Sequence, residues 1–365
     1  MLPLVADARR AYDVDMSQKR IGFLSFGHWG PARGSSTPTA KDTLLQTVEL
    51  AVAAEEIGID NASVRVHHFA PQLSAPFPLL AAMAARTSRI ELGTGVIDMR
   101  YENPLYMAEE AGVTDQISGG RLQLGVSRGS PEPALNGAHA FGFVPPEGMD
   151  DAGLARHKLE LFMAAIDGAA VVASDPRMTG VSQGLAVQPQ SPGLSRRIWW
   201  GSGTRATATW VAEQGLNMQS STLLTEDTGV PFDELQAEQI QVFRDAWRAA
   251  GHTWEPRVSV SRSVMPITTD VDRMYFGGEV DGQDQVGWLD GGNARFGKTY
   301  AGEPDRLAEQ LAQDAAVQAT DTLLLTIPNQ LGVEYNARLL ETIAKHVAPA
   351  IGWVPPAERS LQPTA

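Results

Sequence analysis

The chain has 365 residues, 43% hydrophobic and 20% charged, with no cysteine, a composition ordinary for a globular protein with a large core. The missing cysteines exclude a disulfide framework, a thiolate zinc site and a catalytic thiol, and they agree with a reducing cytoplasm. A net charge of −14, with no basic cluster against it, disfavours a nucleic-acid partner, whose affinity comes from Lys and Arg on phosphates.

Met1 to Arg20 lacks the apolar core of about 7–15 residues that a signal peptide needs. The longest apolar run, Leu79 to Ala85, falls far short of the ~18 residues that cross a bilayer. A membrane partner is not expected.

In chain order, Ile21 to Phe26 reads as a first β-strand ending in Gly27-His28-Trp29-Gly30. Leu44, Val48, Ala51 and Glu55 then fall at helical spacing, closed by Gly58 as a breaker. Ala62, Val64 and Val66 alternate as a second strand, and Ser74 to Ala85 starts a helix. Ile90, Leu92, Thr94 and Val96 form a third strand and Asn103 to Ile117 the helix after it; Leu122, Leu124 and Val126 form a fourth strand. These strand starts recur every ~30–40 residues, the size of one βα unit.

The second half is less regular. Asp150 to Ala170 is predicted helical, and Ser174 to Arg197 is a Pro/Gly/Ser/Gln-rich loop or insertion. Ile198-Trp199-Trp200 is a fifth strand, Leu216 to Met218 a sixth, Phe232 to Ala250 a helix and Val258 to Ile267 a seventh strand. Thr269 to Ala301 is Gly/Asp-rich without periodicity; Pro304 to Ala316, Thr322 to Ile327 and Val333 to Val347 supply the last helix, strand and helix. Strand–helix alternation predicts a parallel sheet with helices outside, and eight of each favour an α/β fold closed as a (β/α)8 TIM barrel, with insertions after strands 4 and 7. Length alone allows two domains at ~150 residues each, but barrels of ~250 residues and more stay single. The expectation is one domain over 1–365, with 1–19 and 355–365 as peripheral tails.

In such a barrel chemistry sits at the C-terminal ends of the strands, and several motifs qualify. His67 and His68 follow the second strand. On extended chain they point to opposite sides, a poor pair for one metal, and no Asp/Glu/His cluster at ligand spacing backs them; no metal site is expected. One imidazole there suits acid/base work, the plain alternative being one packed and one surface histidine. Ser127-Arg128-Gly129 ends the fourth strand, where Arg128 is either a fork for phosphate or carboxylate or a structural ion-pair partner at the rim. Ser202-Gly203-Thr204 leads into a helix and is either an anion site or an N-cap; it lacks the Gly-Lys-Ser/Thr end of a nucleotide P-loop. Gly93-Thr94-Gly95-Val96 marks either backbone passing a flat ligand or a cramped turn. The chain has no Gly-x-Ser-x-Gly elbow of a serine hydrolase.

Taken together, Ala53 to Asp60, His67-His68-Phe69, Ala84 to Val96, Asn103-Pro104-Leu105, Ala108-Glu109, Ser118 to Leu122 and Arg128-Gly129 resemble the bacterial-luciferase-like, flavin-dependent monooxygenases. Weaker echoes follow at Trp200 to Gly203 and Tyr300 to Pro304. The resemblance implies a (β/α)8 barrel, often a homodimer. It binds reduced FMN supplied by a separate flavin reductase and uses O2, through a peroxyflavin, to oxidise a small organic substrate. By position it implies catalysis by His67, with His68 beside it. It implies a phosphate contact from Arg128, a phosphate loop at Gly203, Thr204 and Thr207, and a non-proline cis peptide at Gly95-Val96 under the flavin ring. Thr94, Ser127 and Ser202 complete the expected cofactor set. His28, Trp29 and His139 are expected on the substrate side and Thr269 to Ala301 as a lid. The family's usual Glu before the two histidines is Val66 here, which removes a carboxylate from the pair. The alternatives are the F420-dependent hydride-transfer branch of the same barrel and a non-catalytic flavin-binding protein.

Overall fold

The computed structural model describes residues 19–129, 134–180, 182–226, 229–280, 282–289 and 292–359. Eight parallel strands form a ring: β1 (Arg20–Ser25), β2 (Asn61–Val64), β3 (Glu91–Thr94), β4 (Leu122–Ser127), β5 (Ile198–Ser202), β6 (Asn217–Ser220), β7 (Val258–Arg262) and β8 (Thr322–Ile327). Each pairs with its neighbour in sequence, and β1 pairs with β8 over its full length, Arg20 opposite Thr322 and Ser25 opposite Ile327. The expected closed barrel is what the chain forms, and closure leaves no free sheet edge in this ring.

The helices outside are α1 (Ala40–Ile57), α2 (Pro76–Arg86), α3 (Pro104–Ser118), α4 (Asp151–Ile166), α5 (Arg205–Glu213), α6 (Phe232–Ala250), α7 (Pro304–Gln313) and α8 (Gly332–His346). Local chemistry sets their ends. Thr39 and Asp42 close a capping box at the start of α1, and Gly58 ends it with φ +102°, a conformation that favours glycine. Asn103 caps α3 by accepting from Leu105 N and Tyr106 N, with Pro104 as first helical residue, where its missing N–H costs nothing. Ile21, Phe23, Leu92, Leu124, Val260, Leu323 and Leu325 are fully buried in the strands, and Leu80, Met107, Phe162, Val211, Phe243 and Leu340 bury the helix faces.

The irregular stretches carry more structure than their composition predicts. The third strand stops at Thr94 and resumes at Ile97–Asp98, which pairs with Val126 and Ser127. Helix α4 ends at Ile166, short of Ala170, which instead opens an exposed strand Ala170–Ala173 paired antiparallel with Gly184–Ala186. The seventh strand divides at Ser263: Val264–Pro266 leaves the ring and pairs with Tyr300–Gly302. Within 269–301, Thr269 and Asp272 cap a helix Asp270–Phe276. The hairpin Gln285–Leu289/Gly292–Phe296 joins Leu223–Leu224 from the loop after β6. These pairings are non-local, so no short window of sequence announces them. Both insertions lie where expected, after β4 and β7.

Of the expected tails, the described ends lie against the barrel floor. Lys19 Nζ donates to Val317 O and Thr320 O at 2.5 and 2.7 Å, and Arg359 Nη1 and Trp353 Nε1 both reach Asp60. Residues 1–18 and 360–365 lie outside the described residues. Among the described residues no helix is long and apolar enough to cross a membrane.

Inside the ring, glycine lets strands approach where the site needs a flat floor. A Cβ on Gly125 would stand 2.2 Å from Thr94 O and 2.6 Å from Gln219 Oε1. Just beyond β3, Lys158 of α4 donates to Arg100 O at 2.7 Å, near Glu102, whose carboxyl is pushed up to about 7 by burial and then by Glu110.

Two outcomes are expected. Gly125→Ala should cost about 1–3 kcal/mol through overpacking, read as a lower urea midpoint at unchanged slope; an unchanged midpoint would refute this tight crossing. For Glu102 the raised pKa means the folded chain holds the proton more tightly than the unfolded one. Its contribution is complete below the ordinary 4.5 and lost as pH rises through about 7. Glu102→Gln should therefore stabilise the protein relative to wild type at pH 8 more than at pH 4.5, and equal differences at both would contradict it.

Candidate active site

The C-terminal ends of the strands open into a cleft of about 1370 Å³, counting its solvent-open mouth. Leu24, Ser259, Ser261 and Leu324 from β1, β7 and β8 line its depth. The walls come from the ends of β2 to β6.

After β2 the chain stays extended, so Arg65 and His67 share one side and Val66 takes the other. Val66 is buried in the main core. Arg65 Nε donates to His67 Nε2 at 2.7 Å, and the Arg65 guanidinium also lies over the Phe26 ring, 4.8 Å from its centroid. Burial, then the charges of Arg65, His28 and His68, push His67 down to about 4. His68 turns away and stacks on Tyr101 at 4.1 Å, with Phe141 edge-on at 5.3 Å. Burial lowers its pKa too, against the opposing charge of Asp98. The pair thus diverges as the alternation predicts. The partner of His67 is a guanidinium and not a carboxylate.

After β3 the Gly95–Val96 peptide is cis, as the resemblance implies, and both residues line the cleft. Asp98, from the following stretch, is held by Arg100 through contacts of 2.7 to 3.1 Å. Its charge is therefore matched before any ligand arrives. Gly129 has φ +87°, and a Cβ there would stand 2.0 Å from Asp98 Oδ2; only glycine fits this turn after β4. Ser127 Oγ accepts from Gly129 N at 2.9 Å, and Arg128 lies exposed at the rim.

After β5 the chain enters α5. Thr204 is its N-cap, with Oγ1 accepting from Thr207 N at 3.1 Å and lying 2.9 Å from Thr207 Oγ1. Arg205 N is already used by Glu226 Oε2 at 3.0 Å. The N-cap reading is therefore met, and what faces the cleft is Gly203 with the two threonine hydroxyls. A Cβ on Gly203 would meet Leu223 O at 3.6 Å and Ser221 Cβ at 3.9 Å, ordinary contact distances. Arg156 reaches the same cleft from α4, its guanidinium 4.4 Å from the Trp210 ring centroid.

Of the residues expected from sequence, His67, His68, Gly95, Val96, Ser127, Arg128, Gly203 and Thr204 line one cleft. Thr94 and Ser202 do not. Both are fully buried behind the wall, Thr94 Oγ1 donating to Gly125 O at 2.8 Å and Ser202 Oγ to Thr204 O at 3.1 Å. They support the wall because their side chains point away from the opening. His28, Trp29 and His139 are not among the lining residues. His28 bonds Gln72 at 3.1 Å and His139 is exposed.

Sequence reading missed Arg65, Arg156 and Gln219. The first had a signal, its i, i+2 relation to His67 on extended chain. Gln219, which donates to Thr94 O at 3.1 Å, had only its place at a strand end, and Arg156 on an insertion helix had none. Among the described residues no group of three His, Cys, Asp or Glu could hold a metal ion.

The chain is similar to known proteins in sequence and in fold. The chain is 39% identical over 90 residues to 4-hydroxyprotoasukamycin monooxygenase of Streptomyces nodosus subsp. asukaensis, 24% of each chain. It is 35% identical over 100 residues to the oxygenase component of the flavin-dependent trigonelline monooxygenase of Acinetobacter baylyi, 27% of this chain and 28% of that one. It is also 41% identical over 98 residues to an F420-dependent glucose-6-phosphate dehydrogenase of Nocardia farcinica, 25% of this chain and 28% of that one. Each alignment thus spans about a quarter of the curated relative. In fold, it matches the oxygenating constituent of 3,6-diketocamphane monooxygenase from Pseudomonas putida, solved in complex with FMN. The TM-score is 0.66 at 18% identity, over 91% of this chain and 98% of that one. The model of luciferase-like monooxygenases matches residues 23–274, from β1 through β7 into the insertion that follows, and the chain belongs to that family.

Proposed function

We propose that this protein is a flavin-dependent monooxygenase that takes reduced FMN from a separate reductase and uses dioxygen to oxidise a small organic molecule. The observation that carries the reading is the polarity of the cleft. At the β4–β5 side, Arg128, Arg156, Thr204 and Thr207 line the same cleft as Gly203, a donor set suited to a phosphate. Deeper in, Leu24, Val96 and Leu324 supply apolar wall between the polar side chains of Gln219, Ser259 and Ser261. These residues fit a ligand with an anionic tail and a flat, largely apolar ring.

Bound there, reduced flavin would supply two electrons to dioxygen. The chain's own contribution is to hold the phosphate with Arg128, Arg156 and the threonine hydroxyls, to keep water from the ring with Leu24, Val96 and Leu324, and to present the His67 imidazole. The hairpin Gln285–Leu289/Gly292–Phe296, tied to Leu223–Leu224 at the cleft wall, supports a covering role for the segment after β7. The homodimer is supported by the outer face of α3, where Tyr106, Val113 and Ile117 are 69%, 45% and 49% exposed.

A second reading is F420-dependent hydride transfer. The Nocardia farcinica relative favours it, and the same cationic end would serve the phosphate of that cofactor.

Arg128→Ala and Arg156→Ala should each weaken FMN about 10–100-fold, because a charged hydrogen bond contributes about 1.5–3 kcal/mol. A fluorescence titration reads this, and unchanged affinity in both variants would remove the phosphate from the β4–β5 side. Dioxygen uptake with reduced FMN, measured beside hydride transfer from reduced F420, separates the two readings; turnover only with F420 would overturn the first.

A further inference from the structure

His67 has an unusual neighbour for a histidine expected to move protons. Its Nε2 lies 2.7 Å from Arg65 Nε, and a guanidinium has donors and no acceptor at any pH a protein survives. Nε2 must therefore carry the lone pair. A neutral imidazole has one N–H, which leaves it on Nδ1. Protonating the ring would break this hydrogen bond and set two cations in contact in a partly buried site.

Among the described residues, the charged or titratable groups acting on His67 are Arg65 and His68 from its own segment and His28 from the loop after β1. None is a carboxylate. Where the family pattern has Glu, Val66 is packed in the core at 6% exposure and borders the cleft, so the segment supplies a cation and an apolar side chain and no carboxylate.

We propose that Arg65 is a positioning residue that, by donating to Nε2, fixes His67 as a neutral imidazole with its proton on Nδ1. His67 then acts as a hydrogen-bond donor and not as a base. What the donor serves depends on the flavin reading above, whereas the state of the ring belongs to the chain itself. A donor of this kind stabilises an oxygen that gains negative charge without giving its proton away. The burial that lowers its pKa to about 4 agrees with a ring that stays neutral throughout the physiological range.

The test uses the flavin-free full-length protein with ¹⁵N-histidine, and His67→Asn to assign the signal. In wild type at pH 7, Nδ1 should appear protonated and Nε2 unprotonated, with no titration above about pH 5. In Arg65→Met, the ring should populate both tautomers and titrate closer to the ordinary 6.5. Unchanged spectra of the other histidines and an unchanged unfolding midpoint show that the variant is folded. If it does not fold, the wild-type tautomer decides alone. A protonated Nε2 in wild type, or an identical His67 titration in folded Arg65→Met, would overturn the proposal. FMN titration of the same wild-type sample keeps the two ideas apart: failure to bind would remove the flavin reading and leave the imidazole result standing.

Discussion

Pairing of the first strand with the last closes the sheet, and every other feature of the molecule follows from that closure. Once Arg20–Ser25 lies in register beside Thr322–Ile327, the apolar side chains inside the ring have no exit and pack solid. Loops can then gather only at the two rims. The bottom rim is spent on stability: Lys19, Asp60, Trp353 and Arg359 tie the ends of the described chain to it. The upper rim is left for chemistry, since strand ends there fan outward and leave a cleft that side chains do not fill.

The cleft gathers arginines on a chain whose overall charge is negative. The protein carries a net charge of −14, yet three arginines, at 65, 128 and 156, face the opening. Among the described residues, the carboxylate lining it is Asp98, which is held by Arg100. The three arginines differ in kind. Arg128 and Arg156 sit near the mouth, where water softens their charge, while Arg65 is engaged with an imidazole and acts on its neighbour.

Much of this was legible in the order of residues. Alternation at Ala62, Val64 and Val66, helical spacing from Leu44 to Glu55, and the breaker at Gly58 announce βα units because local geometry repeats with local periods. The divergence of His67 and His68 was legible for the same reason. The hairpin after β7 and the strand pair Ala170–Ala173/Gly184–Ala186 were not, since their hydrogen bonds join segments whose own pattern is weak. Thr94 and Ser202 were placed in the site because they occupy strand ends. Which way each side chain turns there depends on the neighbouring strand, and both turn inward to Gly125 O and Thr204 O.

Sequence by itself determined the architecture and the rim on which function lies. A two-residue or 3.6-residue period needs no distant partner to be read, and eight such units have few ways to close. Only the tertiary structure decided the chemistry of the cleft. It brought Arg156 from an insertion helix to the β5 loop, turned Asp98 onto Arg100, and set Arg65 against His67 at hydrogen-bond distance. Those contacts depend on the angles at which separate segments meet, and a linear order of residues does not encode angles.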